Sequence, residues 1–155
     1  MPKRTFDSPN ALRELVNQEI SVTDWFNVSQ DRIQQFADAT LDHQWIHIDV
    51  ERARRESPFK APIAHGFLTL SLLSHLMHEA IAFEQNPRMA VNYGLNRVRF
   101  VSPVPADSNI RARVTLLSVE ETAGKHMDAI FNVTIETEGG DKPSCVAEWI
   151  VRYYP

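Results

Sequence analysis

The first half of the chain alternates helical spacing with loops, and the second half is written almost entirely in strand-like runs. In SPNALRELVNQEI (8–20), Ser8 suits a helix cap and Pro9 a first helical position, while Leu12, Leu15, Val16 and Ile20 share one face. That spacing predicts a helix. The β-branched and aromatic residues of SVTDWFNV (21–28) predict a strand, and SQDRIQQFADAT (29–40), with Ser29 as cap, predicts a second helix. Residues 41–64 carry prolines at 58 and 62 and read as a loop, with a helical turn at 50–56. From His65 to Phe83 there is no proline and nearly every side is apolar, which describes a long helix buried in a core. Its polar residues Ser71, Ser74, His75 and His78 make one narrow stripe.

Strand-like runs follow at 89–101, 109–121, 126–138 and 143–154, separated by the turn signals SPVPADS, TAGK and EGGDK. Short links imply antiparallel neighbours. A buried helix over 65–83 and about five antiparallel strands predict an α+β fold in which the sheet wraps around the helix. With 155 residues and 43% hydrophobic content, the chain can bury one substantial core, so a single domain over 1–155 is expected.

Composition narrows the function. A formal charge of −4 argues against a nucleic-acid binder held by a broad basic surface. No apolar run approaches the ~18 residues of a membrane span, and the start MPKRTFDSPN lacks the apolar stretch of a signal peptide, so a cytoplasmic protein is expected. Cys145 is the only cysteine, which excludes an intramolecular disulfide and any multi-cysteine metal site.

The candidate chemistry lies in DHQWIHID (42–49), which has three readings. His43 and His47 have the i, i+4 spacing of zinc-protease helices, but Gln44 stands where that chemistry needs a glutamate, and a third ligand would have to come from His65, Asp49 or another distant group. Alternatively, Asp42 satisfies backbone donors in a turn and His47 packs against Trp45 and Ile46. In the third reading, Asp42 and His47 converge on one cavity and move the protons of a single water. The third is favoured by APIAHGFLTLSLLS (61–74), where Gly66 opens the buried helix. Unpaired N–H groups at a helix start favour a developing negative charge, and a residue without a side chain admits a ligand close to the backbone. A thioester carbonyl resting there would be polarised as in an oxyanion hole.

The stretch ATLDHQWIHIDVERARRESPFKAPIAHGFLTLSLLS (39–74) resembles the hydratase 2 motif of (R)-specific enoyl-CoA hydratases in the MaoC-like dehydratase family, including its nodulation protein N-like branch. VNYGLNRVRFVSPVPADSNIRARV (91–114) resembles the family strands that follow. The resemblance implies a hot-dog fold, Asp42 and His47 as catalytic residues, the Gly66 N–H as thioester oxyanion donor, and Ser74 as a supporting helix serine. It also implies reversible syn hydration of trans-2-enoyl thioesters to (R)-3-hydroxyacyl thioesters with no metal or redox cofactor, coenzyme A or acyl carrier protein being part of the substrate. Homodimers paired through their sheets are implied as well. His43 becomes a bystander and Asp49 a supporting position.

The chain departs from the family pattern at Leu41 for glycine, Gln44 for asparagine and Trp45 for proline. A changed turn geometry and substrate shape are therefore expected, with the Gln44 amide still able to fix the loop. Phe67, Trp45 and Tyr93 are candidates for an acyl tunnel, and Arg52, Arg54, Arg55, Lys60, Arg97 and Arg99 for a cationic mouth. Two alternatives stay open: a hot-dog acyl-CoA thioesterase, whose acid on 65–83 would have to be Glu79, and an acyl-thioester-binding subunit without turnover.

Overall fold

The computed structural model describes residues 1–155. Strand β1 (Arg4–Phe6) leads into a 3-10 helix (Pro9–Leu15), then β2 (Gln18–Val22), β3 (Phe26–Val28), α1 (Gln30–Thr40), α2 (Trp45–Ile48) and α3 (Val50–Glu56). Next come α4 (Gly66–Ser71), α5 (Leu73–Ala80) and β4 (Ile81–Phe83), and then the long strands β5 (Met89–Arg99), β6 (Ser108–Glu121), β7 (Met127–Thr137) and β8 (Cys145–Tyr154).

Three of the long strands bury every second residue, as a sheet with one covered face requires. Ile110, Ala112, Val114 and Leu116 of β6 face inward, as do Ala129, Phe131, Val133 and Ile135 of β7, and Ala147, Trp149 and Val151 of β8. Leu68, Leu72, Leu73, Leu76 and Met77 of the α4–α5 segment join them in one core. The antiparallel sheet runs β2-β6-β7-β8-β5, and β3 pairs with β6 beyond β2 along the same edge. The five expected strand positions are thus present, one shared by two short strands.

The structure corrects the reading of 8–20 as a helix. Its first part is a 3-10 helix, but Asn17 takes a left-handed φ of 67° and residues 18–22 pair with β6. Ile20, which looked like the end of an apolar helix face, is instead fully buried as a strand residue. The expected strand over 21–28 is interrupted at Thr23, whose N–H donates to the Ala112 carbonyl while its hydroxyl accepts the Ala112 N–H.

The helix expected over 65–83 is shorter and interrupted. At Leu72 the backbone has ψ of −8°, which marks the joint between α4 and α5, and the segment turns extended at Ile81 with φ −134°. Ile81, Ala82 and Phe83 pair in parallel with Arg4, Thr5 and Phe6 instead. β-Branched and aromatic residues lose little in that exchange.

Strand β5 differs from its neighbours. It closes one edge of the sheet, and Met89, Val91, Tyr93 and Leu95 are all exposed on it. An unpaired edge carrying such residues is a template for another chain.

Candidate active site

Helix α1 ends where Leu41 adopts a left-handed conformation, φ 63° and ψ 22°, that favours glycine. Leu41 thus holds a glycine-type turn without being a glycine. Leu41 is also 81% exposed, so its side chain gains little from packing in the single chain. Leu41→Gly is expected to raise stability by about 0.5–1 kcal/mol through relief of this conformation, read from urea or thermal unfolding.

That reversal delivers Asp42 to the mouth of the site. Its carboxylate accepts a long bond, 3.4 Å, from the Gln44 N–H, an Asx turn. Gln44 holds the loop through its backbone, its carbonyl accepting the His47 N–H at 3.0 Å, rather than through its side-chain amide. One helical turn, α2, then carries His47 inward to 7% exposure. The next turn is started by Asp49, whose carboxylate caps α3 by accepting the Arg52 N–H at 3.0 Å. His43 points the other way, to Asp38 at 2.9 Å on the surface.

Segment 62–64 is clamped on both sides and forms the second wall. Ile63 N–H donates to the Ile46 carbonyl, Ala64 N–H to the Val104 carbonyl, and Ala106 N–H to the Pro62 carbonyl. The Ile63 carbonyl in turn accepts from His47 Nδ1 at 2.7 Å. A carbonyl only accepts, so Nδ1 carries the proton and Nε2 of the neutral ring offers a lone pair. Burial, the larger cause, holds His47 below the ordinary imidazole range, with the neighbouring His65 acting in the same direction. The hydrogen bond to Ile63 and the Asp42 carboxylate partly oppose this shift.

The carboxylate of Asp42 and ring nitrogens of His47 and His65 lie within 4.8 Å of one another, so the sequence-predicted pair does converge. His47 shares a cleft of about 300 Å³ with Gly66, Thr69, Phe100 and Val104. Gly66 is the first residue of α4, so its N–H has no acceptor within the helix. The Phe100 ring covers its Cα so closely that a Cβ there would meet Cγ and Cδ2 at 3.0 Å.

Ser74 is not brought to this cleft. It lies further along α5, on a groove of about 510 Å³ with Met77, Ile81, Phe83, Trp149 and Val151. There its hydroxyl accepts from Asn92 Nδ2 at 3.5 Å, and Asn92 accepts from Trp149 Nε1 at 3.1 Å. The proposed tunnel residues are also dispersed. Trp45 sits under the Arg52 guanidinium, Tyr93 under that of Arg152, and Phe67 is 69% exposed against the edge of Phe100. Of the cationic candidates, Arg52 is paired with Glu56 and Arg54 with Glu51, while Glu79 is exposed in the last turn of α5.

Sequence reasoning gave His65 no role beyond a conceivable metal ligand. It is 3% exposed, stacked on His47 with ring centroids 3.8 Å apart and planes 20° from parallel. That stacking works against joint coordination. A metal bonds in the plane of each imidazole, and an ion in one plane of a stacked pair lies far out of the other.

A mostly antiparallel sheet is thus packed on a central helical segment, with a carboxylate and two imidazoles gathered beside the helix start. A family model described as "MaoC like domain" matches residues 12–138. The chain belongs to the MaoC-like dehydratase family. It is 46% identical over 150 residues to 3-hydroxyacyl-thioester dehydratase Z of Mycobacterium tuberculosis, covering 97% of this chain and 98% of that one. Identity with nodulation protein N of Rhizobium meliloti is 43% over 136 residues, 88% and 84% of the two chains. The fold is shared with the (R)-hydratase of A. caviae involved in PHA biosynthesis, at TM-score 0.68 and 22% identity over 88% of this chain and 97% of that one.

Proposed function

We propose that the protein is an (R)-specific enoyl-CoA hydratase, working reversibly as a 3-hydroxyacyl-thioester dehydratase. The observation that carries this reading is the convergence of Asp42 and His47 within 4.8 Å, beside a cleft that His47 lines together with Gly66. Similarity to a named 3-hydroxyacyl-thioester dehydratase along almost the full chain supports it.

The thioester carbonyl rests on the Gly66 N–H. A water bridges the Asp42 carboxylate and Nε2 of His47, the two acceptors turning an oxygen lone pair toward the β-carbon. As the C–O bond forms, the alkene electrons move to the thioester oxygen, where the helix start stabilises the enolate-like transition state. The pair takes the proton released by the water and returns one to the α-carbon, so one water is added overall. Both groups stand on one wall, so addition is syn. His47 Nε2 enters the reaction as an acceptor, because Nδ1 carries the proton.

The acyl tail runs along α4 and α5 into the groove that Ser74 shares with Met77 and Trp149. Ser74 lies eight residues past Gly66, about 12 Å along the helical segment. Ser74 is thus a groove residue that supports the substrate. Exposed Met89, Val91, Tyr93 and Leu95 on the β5 edge are covered by a second copy in a homodimer. Catalysis needs no metal or redox cofactor, and the protein works in the cytoplasm, where a lone buried Cys145 thiol is at home. No helix is long and apolar enough to cross a membrane.

The test is incubation with crotonyl-CoA, following enoyl absorbance and free thiol together. Hydration without thiol release is expected. Thiol release would indicate a thioesterase, and binding without either reaction an inactive acyl-thioester subunit.

The acid limb of the rate follows from His47. Because its folded pKa is lowered, the ring stays neutral as pH falls past 6.5, and kcat/KM should decline only below that value. Stability shows the same sign. The unfolded imidazole binds its proton first, so this contribution is complete above the unfolded value and is lost as pH falls from there toward the folded value. A pH–rate profile and urea melts at several pH values check both.

A further inference from the structure

Burial without a charge partner is an unusual condition for a polar ring, and His65 meets it. One face stacks on His47, with centroids 3.8 Å apart, and the ring of Phe36 lies 4.9 Å away at 56°. Its Nε2 bonds the backbone carbonyl of Asp42 at 3.0 Å, across 23 residues of sequence. The acceptor is a carbonyl, so Nε2 carries the proton. The other nitrogen, Nδ1, is buried with no hydrogen-bond partner. A core that needed only volume here would hold an apolar ring and avoid desolvating that nitrogen.

His65 is also the residue immediately before Gly66, and its carbonyl accepts the Leu68 and Thr69 N–H groups at 3.0 and 3.2 Å. A single residue therefore touches all three parts of the site: the backbone of Asp42, the ring of His47 and the first turn that presents Gly66. Asp42 has little else to fix it, since its carboxylate makes only the 3.4 Å bond from Gln44 and the loop is exposed.

We infer that His65 is a positioning residue of the hydration reaction, its Nε2–H holding the Asp42 loop and its ring face setting the plane of His47. The inference rests on the hydratase reading for its kinetic consequence, but not for its geometry. It acts through the dyad and touches no reacting atom. Because the reacting atoms need alignment more than the substrate needs affinity, its loss should fall on kcat rather than KM.

Two substitutions separate the parts. His65→Phe keeps the stacked ring and removes the donor, while His65→Gln keeps an N–H donor of similar reach and removes the stack. His65→Phe should lower kcat about tenfold or more, with KM changing less than about threefold, as expected for loss of one buried alignment bond. His65→Gln should recover part of that loss. Equal activity of wild type and His65→Phe, or a loss confined to KM, overturns the proposal. The activity-independent reading is ¹⁵N NMR of imidazole-labelled wild type, which should show His65 as the Nε2–H tautomer with a slowly exchanging proton. A protonated or Nδ1–H ring, or rapid exchange, overturns the geometry whether or not the protein hydrates enoyl-CoA. If the tautomer is found but wild type is inactive on every enoyl thioester, the hydratase reading fails and the kinetic role fails with it. If His65→Phe proves unfolded, the Gln variant and the tautomer decide.

Discussion

Asp42→Asn lowers kcat for enoyl-CoA hydration by about 10²–10⁴-fold, the range for removing a positioned general acid or base. The fold should not notice. Asp42 is exposed, and its carboxylate makes only the long bond to the Gln44 N–H, which an asparagine oxygen also accepts. His47→Gln should cost a similar factor but some stability too, because the buried ring supplies the donor to the Ile63 carbonyl. The double variant should be little worse than either single one, since two groups holding one water act as a unit. Stopped-flow or steady-state hydration kinetics with matched thermal melts check all three. If both single variants keep full activity, the site lies elsewhere in the molecule.

The second large effect is expected at Gly66. In Gly66→Ala the new Cβ would stand 3.0 Å from Cγ and Cδ2 of Phe100, so one of the two must move. Phe100 is 43% exposed and can swing outward, which lets the variant fold. The methyl group and the displaced ring then occupy the approach to the oxyanion donor. Loss of such a donor costs about 10²–10³-fold in kcat, and obstructing one should cost kcat/KM at least about 10²-fold. Adding Phe100→Ala should relieve the crowding and restore part of the activity. Failure of that rescue, with both variants folded, would show that the methyl blocks the substrate rather than the ring.

Much of this arrangement could be read before the structure. The long strands were legible because β6, β7 and β8 place apolar residues at every second position over ten or more residues. The stretch 8–20 was not, because Leu12, Leu15, Val16 and Ile20 satisfy helical spacing while pairing with β6 decides the outcome for residues 18–22. Residues 81–83 were absorbed into the helix for the same reason: their partner, Arg4–Phe6, is remote in the chain.

In the site, Asp42, His47 and Gly66 stand out because the stretch 39–74 resembles the family motif; the structure brings Asp42 and His47 together and sets Gly66 on the cleft beside them. Ser74 belongs to the same motif, but it lies on a separate groove, which a helix stripe cannot reveal because it says nothing about where a ligand bends. His65 stands beside Gly66 in the sequence, yet its ring contacts with Phe36, Asp42 and His47 all reach residues earlier in the chain, and only the fold brings them together. The departures at Leu41 and Trp45 were legible as departures. What they do was not: one keeps a left-handed turn, and the other forms a face for Arg52.

The most direct test is to hydrate crotonyl-CoA in D₂O with the wild-type protein and determine the configuration of the product at both new centres. A single wall carrying Asp42 and His47 predicts syn addition of OD and D, and the proposed (R)-hydratase activity predicts the (R) configuration at C3. Anti addition, an (S) alcohol, or thiol release in place of the alcohol would contradict it.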